Sequence, residues 1–138
     1  MALKYQSHDL FAGGVLAVAN HVANFANSVK LVTVLGERDS HEDFIRSQLT
    51  SNIDPLFIVQ DNAPTLIKRR FIEGYSLNKL FEVYVMDSSG LNGEKNNQLC
   101  QWVQEHAANF DLVIAADFGH GARGDEVRRK REKNNFRR

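Results

Sequence analysis

Three short stretches of this 138-residue chain carry residue types that could hold a polar ligand. Gly13-Gly14 opens an apolar segment. With no side chain in the way, a ligand can come close to that backbone, although the same pair can serve simply as the turn into a helix. Lys68 and Arg70 stand two residues apart, so on a strand they project to one face and could grip a phosphate group. The alternative is a solvated charge pair on an edge strand. Asp117-Phe118-Gly119-His120-Gly121 closes an apolar run, and strand ends are where open α/β sheets place ligands. His120 could touch a phosphate from that loop or merely occupy its turn. His8, His21, His41 and His106 lack ligand spacing, which argues against a metal site. Cys100 has no cationic neighbour in sequence to activate it. A phosphate-cradling Walker pattern is absent. The chemistry suggested is binding, and no residue takes a catalytic role.

The segments between these stretches alternate in period. Val15, Val18, Val22, Phe25, Ala26 and Val29 form one apolar stripe, predicting a helix over residues 14–28. Leu31 to Leu35 is a continuous apolar run typical of a strand buried on both faces. Ser40, with Asp43 three residues on, predicts the cap of a second helix whose inner side is Phe44, Ile45, Gln48 and Leu49. Leu56 to Gln60 reads as a short strand ended by the turn signal Asp61-Asn62-Ala63-Pro64. Thr65–Glu73 and Asn78–Asp87 read as two strands joined through Gly74-Tyr75-Ser76. Their mixed charged and apolar residues suit an antiparallel sheet with one wet face, or one that closes over a ligand. Residues 95–108 form a helix with Leu99, Trp102, Val103 and His106 on one side, His106 being hydrogen-bonded and half-buried there. Leu112 to Ala116 reads as another buried strand. Helices alternating with buried strands imply an α/β parallel sheet with covering helices, interrupted by a small β excursion.

Composition sets the class. Hydrophobic content of 43% and charged content of 25% are ordinary for a globular domain, and one domain is expected at this length. No apolar run reaches the roughly 18 residues of a membrane helix. A signal-peptide pattern is missing at the N-terminus, and the single cysteine fits a reducing compartment, so the cytoplasm is expected. The zero net charge conceals an asymmetry. Residues 123–138 carry eight basic against three acidic side chains, a balance of +5, leaving −5 for residues 1–122. A basic tail can attract nucleic acid or anionic lipid, but this one offers no spaced aromatics for stacking. It reads as a solvated end outside the domain, and nucleic acid is not an expected partner.

Taken in order, the motifs resemble those of ribokinase-like (PfkB-type) carbohydrate kinases. Gly13-Gly14-Val15-Leu16-Ala17-Val18-Ala19-Asn20-His21-Val22-Ala23 is similar to the Gly-Gly-led helix of that family, and Leu31-Val32-Thr33-Val34-Leu35-Gly36 to the strand after it. Pro64-Thr65-Leu66-Ile67-Lys68-Arg69-Arg70 resembles its lid strand, which commonly reads Pro-Thr-x-x-Lys-x-Arg. Asp111 to Gly121 is similar to the strand that ends in Asp-Tyr-Gly-Lys-Gly. Among subgroups the likeness is greatest to kinases of the heptose 7-phosphate type. It covers about residues 10–121.

The resemblance implies a partial ribokinase-like three-layer α/β domain over residues 1–122, with a β lid at about 56–87. It also implies a sugar or sugar phosphate held at the strand ends by Gly13, Gly14, Asn20, Lys68, Arg70 and Asp117. Ala17 stands where the family helix usually has Asn, and Asn20 lies nearby, either reaching the sugar or sitting on the polar helix face. In the family, ATP and Mg bind the C-terminal half, where a Gly-Ala-Gly-Asp motif stabilises phosphoryl charge and takes the hydroxyl proton. This chain contains no such motif, so no ATP or Mg site is expected in it. Relative to the family it reads as truncated at both ends and inactive alone. Two further expectations follow: a homodimer through the lid strands, as the alternative role of a non-catalytic module, and marginal stability or self-association at an uncovered edge beside Asp117.

Overall fold

A computed structural model describes residues 4–87, 90–116 and 118. Asp117, His120 and the basic segment 123–138 lie outside the described residues. The fold is mixed α/β, with one parallel and one antiparallel pair of strands, in keeping with the expected class.

Helix α1, Val15–Val22, starts where Gly14 takes φ 60° and ψ −130°, a backbone state open to glycine. It is shorter than its apolar stripe predicts. The Asn24 side chain donates to the carbonyls of Asn20 (3.0 Å) and His21 (3.2 Å), satisfying groups the helix end would leave open. Phe25 is left outside, its ring edge-on to His21.

Strand β1, Val29–Arg38, pairs in parallel with β2, Ile53–Pro64, in register from Val29 opposite Ile53 to Gly36 opposite Gln60. Alternation puts Leu31, Leu35 and Ile53 on one face and Ile58 and Gln60 on the other, all of them buried. Ala19 of α1 packs with Leu31 and Ile53, and Val15, Leu16, Ala23, Val29 and Leu49 surround them. This small core is what α1 is folded against. Between the strands lies α2, Glu42–Gln48, begun by His41 in a left-handed conformation. The Ser40 hydroxyl reaches only the Glu42 amide, at 3.5 Å, so the expected capping box does not form.

The turn signal at residues 61–64 does not end β2 either. Asn62 absorbs the irregularity with φ 57°, the Glu37 carboxylate accepts its amide at 2.7 Å, and pairing resumes with Arg38 opposite Pro64. Beyond it, β3 (Ile67–Ile72) and β4 (Lys79–Val85) form an antiparallel hairpin as the pattern predicts. Helix α3, Gly93–His106, is capped by the Asn92 side chain, which accepts from the Lys95 amide at 2.8 Å.

One expected strand is not formed. Residues 112–116 join no sheet among the described residues, and Leu112 is 73% exposed. An apolar run signals that burial would be favourable, but it does not supply the hydrogen-bonding edge that a parallel strand needs. Among the described residues β1 and β2 pair only with each other.

Candidate functional site

The two glycine-bearing motifs meet. A Cβ placed on Gly14 would lie 3.9 Å from Cδ2 and Cε2 of Phe118, in ordinary van der Waals contact, so the exposed Phe118 ring faces the start of α1. Gly13 is exposed as well, and a Cβ there would touch nothing within 4 Å. The positive φ, more than lack of room, makes Gly14 the position that needs glycine. Asp117 precedes Phe118 but lies outside the described residues.

Asn20 faces elsewhere. Its Nδ2 donates to the Gln48 carbonyl at 2.9 Å and its Oδ1 accepts the Thr50 amide at 3.1 Å, tying α1 to the end of α2. Asn52 makes a parallel tie, donating to the carbonyls of Ala23 and Ala26. Both amides hold loops that bracket the core.

The hairpin has two unlike faces. Register places Lys68 opposite Tyr84 and Arg70 opposite Glu82, so these four share one face. The other carries Ile67, Phe71, Phe81, Val83 and Val85 together with Arg69. Lys68 and Arg70 thus share a face, but their surroundings differ. The Arg70 guanidinium is ion-paired with Glu82, which also accepts from Lys79 Nζ and the Tyr84 hydroxyl, both at 3.2 Å. These hydrogen bonds, the one from Arg70 foremost, hold the Glu82 carboxyl down from its usual 4.5 to about 2, and Glu82 in turn raises Arg70. Lys68 Nζ lies 5.2 Å from the centre of the Tyr84 ring and, among the described residues, forms no ion pair. An incoming anion would meet Lys68 uncompensated, whereas Arg70 would first have to give up Glu82. At the hairpin tip the Glu73 carboxylate accepts the Ser76 hydroxyl and the Ser76 and Tyr75 amides, which lowers its pKa.

Two buried side chains, Thr65 and Gln60, were given no role by the motif reading. Thr65 Oγ1 accepts the Gly36 amide at 2.9 Å and donates to the Ser40 carbonyl at 3.2 Å. The Gln60 amide holds the connection between β4 and α3. Their burial has no sequence signature, because a buried polar residue is explained only by partners distant in the chain. His106 is half-buried, its ring stacked 4.4 Å from Trp102 and its Nδ1–H donating to the Trp102 carbonyl at 2.8 Å. Among the described residues there is no cluster of three or more His, Cys, Asp or Glu that could hold a metal ion. No helix among them is long and apolar enough to cross a membrane. No hydrogen bond, ion pair or ring contact among the described residues joins Lys68 or Arg70 to Gly13, Gly14 or Asn20.

No protein-family profile matches the chain. It is 26% identical over 114 residues to the Bifunctional protein HldE of Trichlorobacter lovleyi and 24% identical over 114 residues to that of Shewanella amazonensis. Each match covers 82% of this chain and 23% of the relative, so the chain spans about a quarter of the length of these curated relatives. Identity at this level supports a distant carbohydrate-kinase-like relationship.

Proposed function

We propose that this chain is the sugar-facing region of a PfkB-type carbohydrate kinase, built to position a sugar or sugar phosphate. The observation that carries the reading is that the Phe118 ring stands over Gly14, 3.9 Å from where a Cβ would be, which brings the first and last of the resembling motifs to one place. In this reading the Gly13-Gly14 backbone and Asp117 face the sugar. Lys68 meets a phosphate on it, and Arg70, screened by Glu82, supports the same face. Asn20 serves by fixing α1 through Gln48 and Thr50. Phosphoryl transfer depends on positioning and charge stabilisation, and the share assigned to this chain is positioning. In the family ATP with Mg supplies the phosphoryl group, and no residue of this chain is assigned to hold either. The free, exposed Cys100 suits a reducing cytoplasm.

Amide NMR of the chain titrated with a heptose phosphate tests this reading. Resonances of Gly13, Gly14, Phe118 and Lys68 should move, and Lys68→Ala should weaken binding by about tenfold, the effect of one lost hydrogen bond to a charged group. Identical shifts with inorganic phosphate alone, or none with the heptose phosphate, would defeat the sugar assignment. ATP-consuming turnover by the chain on its own would defeat the division of labour.

A second reading, a non-catalytic module that dimerises through the hairpin, is favoured by one feature. Phe71 and Phe81 stack at 4.4 Å yet remain 40% and 47% exposed. Sedimentation showing a dimer that Phe81→Lys dissociates, with no sugar bound, would select that reading. A basic-tail role in nucleic-acid binding has no comparable support.

A further inference from the structure

The hairpin leaves the sheet and returns to it through two anchors of different construction. Its entry is fixed by Thr65, buried against Gly36 and Ser40, with the Thr65 amide donating to the Arg38 carbonyl at 3.1 Å. These partners lie at the end of β1, Gly36 and Arg38, and in the connection to α2, Ser40. Among the described residues, a side chain from inside β2 holds its exit. Gln60 is only 7% exposed; its Nε2 donates to the Gly90 carbonyl at 2.8 Å and towards Asp87 Oδ2 at 3.4 Å, while its Oε1 accepts the Asn92 amide at 3.2 Å.

Asn92 is also the cap of α3. Both ends of one buried amide are therefore spent on a connection that begins at the hairpin's return strand and ends at the first turn of a helix. The next residue of β2 repeats the link from outside, because Asp61 Oδ2 lies 3.7 Å from Lys95 Nζ in that same turn. An amide buried without partners is costly, so Gln60 cannot release one side of this arrangement and keep its other bonds undisturbed.

We infer that Gln60 is a conformational coupler: it makes the return stem of the hairpin and the first turn of α3 open and close as one unit, separately from the entry stem. Whatever grips the hairpin's return strand is then felt at α3, and a change at the start of α3 loosens the hairpin. The inference rests on this hydrogen-bond geometry and stands whether the hairpin meets a sugar or another chain.

Hydrogen exchange read by mass spectrometry on the whole chain tests it. In Gln60→Leu, exchange should speed up by about tenfold both at 84–87 and at 92–96, the scale of one lost hydrogen bond, while residues 15–22 and 29–36 keep their protection. Asn92→Ala, which removes the cap but keeps the backbone amide that Gln60 holds, should loosen 92–96 and, through Gln60, 84–87 with it; loosening confined to 92–96 would overturn the inference. Loosening of one segment without the other in Gln60→Leu, of neither, or of all elements together would overturn the inference. The unsubstituted chain gives an independent check should Gln60→Leu not fold. In a denaturant series, 84–87 and 92–96 should share one opening free energy and one denaturant slope, and different slopes would equally overturn it.

Discussion

The parallel pair β1/β2 and the hairpin β3/β4 are built from similar strand residues and put them to opposite use. In the parallel pair, Leu31, Leu35, Ile53 and Ile58 are all buried, and the polar side chains among them are spent on tying loops together. In the hairpin no residue is buried, its two phenylalanines stack in the open, and Arg70 and Lys79 pair with Glu82 on the surface. Stability accordingly resides in the first region, where apolar area leaves water. The second has apolar and charged surface to offer to something else, consistent with an isolated two-stranded hairpin being marginal by itself.

The sharpest way to break this contrast is to force the parallel strands apart. A Cβ on Gly36 would fall 2.2 Å from the Pro64 carbonyl carbon and 2.3 Å from the Thr65 nitrogen, backbone atoms that cannot move alone. Gly36→Ala should cost on the order of 3 kcal/mol or more, seen as loss of the folded baseline in urea. Next in size is Leu31→Ala, which empties a side chain only 4% exposed between Ala19 and Ile53. It should cost about 2–4 kcal/mol, lowering the urea midpoint at unchanged slope. The matching change in the hairpin, Phe71→Ala, should cost about 1 kcal/mol or less, the range for an exposed aromatic pair. It should appear as faster exchange within 67–85 and scarcely in the midpoint. A Phe71→Ala loss equal to that of Leu31→Ala would show that the hairpin is part of the stability core and dissolve the comparison.

The two regions also differed in how far sequence could describe them. The run Leu31 to Gly36 announced β1, and the alternation around Gly74-Tyr75-Ser76 announced the hairpin, since local pattern decides both. Pattern failed where a distant partner decides. Asp61 to Pro64 has turn chemistry, yet Glu37 and Arg38 keep the strand going. Leu112 to Ala116 has strand chemistry but no partnering edge among the described residues. At the candidate site, the placement of Lys68 and Arg70 on one face followed from their spacing. That Arg70 would be neutralised and Lys68 left without an ion pair among the described residues did not, because Glu82 lies twelve residues away across the hairpin. Gln60 carries no motif, and the Pro64-Thr65 motif does not announce that the Thr65 side chain is buried.

The smallest effect sharpens the comparison from the side of charge. Glu82 has its folded pKa depressed from the usual 4.5 to about 2 by Arg70, then Lys79. A depressed carboxyl pKa contributes stability that is complete above the unfolded value and is lost as pH falls through the folded one. Hairpin order should therefore be flat above about pH 5 and decline from there towards about pH 2, with Glu82→Gln removing much of that dependence. Glu73, lowered by the Ser76 hydroxyl and by the Ser76 and Tyr75 amides, titrates in the same direction, so Glu73→Gln with Glu82→Gln should flatten the remainder. Because Glu82 acts on the solvent-facing hairpin, the urea midpoint at neutral pH should barely move in Glu82→Gln. Two-dimensional NMR would follow the Arg70 Nε–H and Tyr84 amide signals across the acid range. A pH response in the amides of Leu31 and Ile53 that tracks Glu82 would mean that the hairpin's charges brace the parallel core, and the separation of the two regions would have to be given up.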